Sequence, residues 1–163
     1  MREKVLIIGI GNFDRQDDGV AWHILQGINQ KLGRTTQPTP YESPIEPEGD
    51  NPQTLFSLQI YPEMADLLHQ YEWVCFVDAH TGAIEEELSC QVIYPERHSN
   101  PLTHHMTPQT VLSLCATLHE QVPHAMIVSV RGYSFQYLQR LSEATAVLAD
   151  QAIDFIWQWL SDE

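Results

Sequence analysis

Residues Lys4 to Gly19 constrain the fold more than any other stretch. They read Lys4-Val5-Leu6-Ile7-Ile8-Gly9-Ile10-Gly11-Asn12-Phe13-Asp14-Arg15-Gln16-Asp17-Asp18-Gly19. Val5 to Ile8 is an apolar, mostly β-branched run, as expected for a strand covered on both faces. Gly9 and Gly11 permit a tight turn where the chain leaves that strand. Val20, Ala21, Ile24, Leu25 and Ile28 then recur at helical spacing. A buried strand, a glycine turn and a helix in this order open an α/β sheet. Asp17 and Asp18 fall at the helix entrance, by the carboxyl ends of the strands, where such sheets bind ligands.

The glycine turn is not a dinucleotide fingerprint, because Asp14 stands where a third glycine is required. A phosphate site needs bare backbone N–H groups, and Asp14, Asp17 and Asp18 would repel a pyrophosphate. The acidic pair has two readings. Helix capping explains one acid easily, and Asp17 is the better candidate for it. The spare carboxylate, Asp18, could hold a metal or another cation.

The chain has 163 residues, enough for one core, and a hydrophobic fraction of 43%. Its formal net charge is −14, from 22 acids against 8 lysines and arginines. That excludes nucleic acid and anionic membrane surfaces as partners. No signal peptide or membrane-length apolar run is found, so a cytoplasmic location is expected. Cys75, Cys90 and Cys115 lack metal-type spacing and read as buried hydrophobes.

Beyond Gly33, residues 34–53 carry five prolines amid polar residues. They read as a long loop insertion with a short strand around Tyr41. Leu55 to Ile60 has strand character, and Pro62 opens a helix that turns Met64, Leu67 and Leu68 inward. Trp73 to Val77 is a second buried strand, followed by Asp78-Ala79-His80-Thr81-Gly82. Leu88 to Tyr94 reads as an edge strand. Thr107-Pro108 caps and starts a helix through Leu118. Met126 to Val130 is another strand, and Ser142 begins a long final helix. The pattern predicts a three-layer α/β sandwich: a mostly parallel twisted sheet, helices on both faces, one domain over 1–163.

Asp17-Asp18, Asp78 to His80 and His104-His105 all sit at ends of expected elements. Each has an ordinary reading as a cap, a turn or a solvated loop. Together they supply two carboxylates and an imidazole, a donor set suited to a first-row divalent ion. No G-x-S-x-G elbow is present. Ser129 and Ser134 lack an evident base, and no cysteine has an activating context, so covalent catalysis is disfavoured. His23, His69, His119 and His124 read as structural or exposed.

These motifs together resemble the hydrogenase maturation endopeptidases, which trim the C-terminus of nickel–iron hydrogenase large subunits. The likeness spans nearly the whole chain. Gly9-Ile10-Gly11-Asn12 with Asp17-Asp18-Gly19 is similar to the family's opening motif, and Leu58 to Ala65 to its next segment. Phe76-Val77-Asp78-Ala79 with Gly82 resembles its central acidic motif. His104-His105-Met106-Thr107-Pro108 resembles its histidine motif, and Gly132 to Thr145 its last signature. The resemblance implies a phosphorylase/hydrolase-like fold. It also implies an aspartic-type endopeptidase, a hydrolase acting on a nickel-loaded large-subunit precursor. It places metal contacts on Asp18, Asp78 and His104, with His105 as a substitute, and His80 is a further candidate from its place beside Asp78; some members carry Glu where this chain has Asp18. Asp18 and Asp78 are also the candidate catalytic residues. Nickel would arrive bound to the substrate, and a monomer is expected. Two other readings stay open: a non-enzymatic nickel-checking chaperone, and a small-molecule or nucleotide-binding α/β domain.

Overall fold

A computed structural model describes residues 1–40, 46–96 and 106–162. Five strands form one sheet: β1 Val5–Ile10, β2 Gln53–Ser57, β3 Trp73–His80, β4 Leu88–Ile93 and β5 His124–Arg131. Their spatial order is β2-β1-β3-β5-β4. The β1–β2, β1–β3 and β3–β5 pairs are parallel, and β4 joins the edge antiparallel to β5.

The apolar run of β1 behaves as its composition demands. Val5, Leu6, Ile7 and Ile8 are fully buried, and successive residues feed opposite cores. Val5, Ile7, Cys75, Val77 and Val128 pack against helices α1 (Val20–Lys31) and α4 (Glu143–Ser161). Leu6, Ile8, Val74 and Phe76 pack against α2 (Met64–Leu68) and α3 (Pro108–His119). The sheet is thus sandwiched between two helical layers, the architecture expected from the sequence. None of the helices is long and apolar enough to cross a membrane among the described residues.

Local capping signals are realised where they were read. Thr107 Oγ1 accepts from the Thr110 N–H at 3.1 Å, with Pro108 at the first turn of α3. Ser142 caps α4 through the Thr145 N–H. β1, β4, α3 and β5 end within one or two residues of expectation, and three other boundaries differ in ways that matter. β2 begins at Gln53 and ends at Ser57, because its edge is set by pairing with β1 rather than by its own composition. α2 starts at Met64, after a turn through Pro62 and Glu63. β3 runs past its apolar stretch, so Asp78, Ala79 and His80 lie within the strand and not in a loop after it. Pairing with Ser129, Val130 and Arg131 of β5 extends it.

The proline-rich insertion is fastened near its ends. Arg34 donates to the Pro52 carbonyl at 2.7 Å and the Asp50 carbonyl at 2.6 Å, and Glu48 bridges to Thr54. The strand expected around Tyr41 lies outside the described residues.

Candidate active site

The carboxyl edge of the sheet carries the two acids. β1 ends at Ile10, and a 3-10 turn, Gln16–Gly19, holds Asp17 and Asp18 before α1 begins. This turn packs against β3. Gly11 closes the connection: its φ is +152°, and a Cβ there would lie 2.0 Å from the Asp18 carbonyl oxygen. Only glycine fits that approach. The Asp18 carboxylate accepts from the Asn12 N–H at 2.9 Å.

Asp78 stands in β3 beside Ser129 of β5, with Ser89 of β4 next in the same row. Burial pushes its carboxyl up to about 6. The Ser129 hydroxyl and His80 pull it down, and the negative charge of Asp18 pushes it further up. The influence of Asp18 is the smallest of these, and it places the two sequence-predicted acids at the same edge of the sheet. Asp78 Oδ1 is buried without a hydrogen-bond partner among the described residues, and so is His80 Nε2.

His80 shares the Asp78 face of the strand and is buried. Its Nδ1 accepts from the Gly82 N–H at 3.2 Å. The neutral ring therefore carries its proton on Nε2. With Nδ1 so engaged, Nε2 is the ring nitrogen left without a partner among the described residues. His104 and His105 lie outside the described residues.

Asp17 has a different part from the one its position suggested. It caps neither the 3-10 turn nor α1. It is 0 % exposed and accepts five hydrogen bonds from the β5–α4 connection. These come from the N–H groups of Tyr133, Ser134 and Ser142 and the hydroxyls of Ser142 and Thr145. Burial alone would push its carboxyl up, but the Ser142 hydroxyl and the backbone donors outweigh that and hold it below the usual range. Asp17 thereby ties the far end of the chain to the turn that presents Asp18. Nothing local in the sequence signals these donors.

The remaining polar residues fit structural parts. His23 Nε2 is 3.0 Å from the Gln139 carbonyl, and burial lowers its basicity. His119 pairs with Asp66 at 2.8 Å and stacks on His69, while His124 stacks on Trp73. All three cysteines are free, and burial raises each thiol well away from a reactive thiolate.

No family model matches the sequence, and no match is found among curated proteins. Solved structures do match. The hydrogenase maturating endopeptidase HybD from E. coli aligns with a TM-score of 0.64 at 14% identity, over 96% of this chain and 91% of that one. The [NiFe] hydrogenase maturation protease HycI from Thermococcus kodakarensis gives 0.61 at 16%, over 98% and 93%. The hydrogenase 2 maturation peptidase from a Thaumarchaeota archaeon gives 0.61 at 18%, over 99% and 100%. At such low identities what is shared is architecture, and over nearly its whole length this chain has the fold of those maturation proteases.

Proposed function

We propose that this protein is an endopeptidase that removes the C-terminal extension of a nickel-loaded nickel–iron hydrogenase large-subunit precursor. The observation that carries the reading is the Asp18–Asp78 pair. Both stand at the carboxyl edge of the sheet, and Asp78 presents a buried oxygen without a partner among the described residues. A cation at Asp78 would satisfy that oxygen, and because no three metal-type donors cluster among the described residues, such an ion would have to bring ligands of its own. In this reading the ion is the nickel carried by the substrate.

Asp18 and Asp78 would then engage the loaded metal centre, with His104 as the imidazole partner and His105 as its substitute. The His80 Nε2–H supplies a donor for a peptide carbonyl near the same row. The architecture shared with HybD and HycI supports the choice of reaction. So does the absence, among the described residues, of an activated cysteine. We read residues 1–163 as one maturation-protease domain, a cytoplasmic monomer.

The test is incubation of the purified protein with large-subunit precursor from a neighbouring hydrogenase operon, loaded with nickel or free of it. Mass spectrometry should show loss of the extension from the loaded form only. An intact loaded precursor that nevertheless co-purifies with the protein would point to a nickel-checking chaperone. A nucleotide-induced rise in melting temperature, without precursor binding, would point to a nucleotide domain.

A further inference from the structure

Arg131 ends β5 at the same carboxyl edge, in register with His80. It stands one pleat repeat, about 6.6 Å, past Ser129, the partner of Asp78. Its guanidinium is held from several sides. It lies against Gly82, where a Cβ would come within 2.1 Å of Nη1 and where φ is +110°. Its Cζ sits 4.9 Å from the centroid of the Tyr133 ring. Nε donates to the Gly132 carbonyl at 3.2 Å.

The two Nη groups are left without an acceptor among the described residues, and no carboxylate there lies within ion-pair distance. Arg2, Arg15 and Arg140 likewise have no carboxylate partner among the described residues, and Arg2 is similarly held by the Trp159 carbonyl and the Trp73 ring; what sets Arg131 apart is its place at the carboxyl edge, in register with His80. Lys4 and Lys31 are paired with Glu72 and Asp154, and Arg34 is used on backbone carbonyls. Glu87, beside the Arg131 backbone, accepts from the Tyr133 hydroxyl. Outside the described residues only Glu42 and Glu163 are acidic.

A guanidinium pinned at Nε and stacked on a ring, with both Nη ends open, is a planar fork matched to a carboxylate. The acidity of the whole chain does not prevent such a contact. Repulsion from charges beyond about 8 Å is screened at physiological ionic strength; of the nearer acids, Glu87 is engaged by the Tyr133 hydroxyl and Asp78 lies in the row two residues back.

We propose that Arg131 binds a carboxylate of the peptide that enters this site. The inference rests on the peptidase reading only in taking the ligand to be a peptide. Two sources share the chemistry: the terminal carboxylate of the extension, and an Asp or Glu side chain within it.

Three small probes separate them by NMR on 15N-labelled protein: acetyl-Gly-Gly with a free carboxylate, its C-terminal amide, and acetyl-glutamate α-amide. The Arg131 Nε–Hε and Gly82 N–H signals should shift saturably with one or both acids and not with the neutral amide. A response to the first acid alone assigns the terminal carboxylate; a response to the acidic side chain assigns the other source. Arg131→Gln should abolish the shift at Gly82, and Arg131→Lys should weaken binding about tenfold by losing the fork. No shift with either acid, or equal shifts with the amide, overturns the proposal. So does a Gly82 shift that persists in a folded Arg131→Gln protein. None of these readouts needs cleavage, so they stand apart from failure of the peptidase assay. On an active precursor, Arg131→Gln should raise KM about tenfold with kcat kept.

Discussion

Ser142 is bound to Asp17 twice, through its N–H at 2.8 Å and its hydroxyl at 2.6 Å, across 125 positions of sequence. The helix α4 thus begins on the side chain of a residue that precedes α1. Its first turn and the turn carrying Asp18 share one buried carboxylate.

Asp17→Ala should therefore be costly. It strands four donors in a buried setting, the Thr145 hydroxyl keeping the Arg131 carbonyl as acceptor, and a loss of about 3–4 kcal/mol is expected, against about 1 kcal/mol for a lost helix cap. Urea denaturation measures it. Because the folded Asp17 carboxyl lies below its ordinary 3.8, the stability it adds is complete above that pH. That stability is lost as pH falls through the folded value. The advantage of the parent over Asp17→Asn should vanish in acid, and a gap that widens instead would contradict the clamp.

Asp78 predicts the opposite sign. Its folded carboxyl is raised to about 6, so ionising it in the folded protein weakens the fold as pH rises from about 4 through 6. Relative to the parent, Asp78→Asn should gain melting temperature toward pH 8, and the gain should close by pH 4. Chelator in the buffer keeps stray cations out of the comparison.

Asp18→Ala should abolish processing of nickel-loaded precursor while shifting the melting temperature little, since Asp18 is only partly buried and accepts one backbone bond. Calorimetry with Ni2+ on the free parent protein should show one weak site, absent in Asp18→Ala and in Asp78→Asn. Normal processing by Asp18→Ala would make the acidic pair structural.

Gly82→Ala tests the seat of Arg131. The φ of +110° and the close guanidinium both oppose a side chain, and a cost of about 1–3 kcal/mol is expected. The variant should also lose binding of the acidic NMR probes. Unchanged stability would mean that the guanidinium moves aside freely.

What was legible in the sequence was local. The β1 run, Thr107-Pro108 and Ser142 declare themselves within a few residues, because burial periodicity and capping act over one turn. The reach of β3 through His80 was not legible, since a polar Asp-Ala-His stretch becomes strand only when β5 pairs with it. Asp18 and Asp78 could be picked out by position, but their meeting at one edge depends on the packing of the 3-10 turn onto β3. Asp17 was assigned to its own helix because its donors come from residues 133–145. Arg131 carried no signal at all: an arginine with no acid to pair with is visible only once every neighbour is placed.

The strand order has a consequence for how the molecule is made. β5 lies between β3 and β4, although β4 is synthesised before it. A growing chain on the ribosome carries β4 without its partner β5 until β5 emerges, and Asp17 without its full set of donors until Thr145 follows. The acidic turn is written first and locked last. A nascent chain stalled before that point exposes an unpaired strand and an undocked carboxylate, which makes the final stretch of translation the interval in which a chaperone has most to protect.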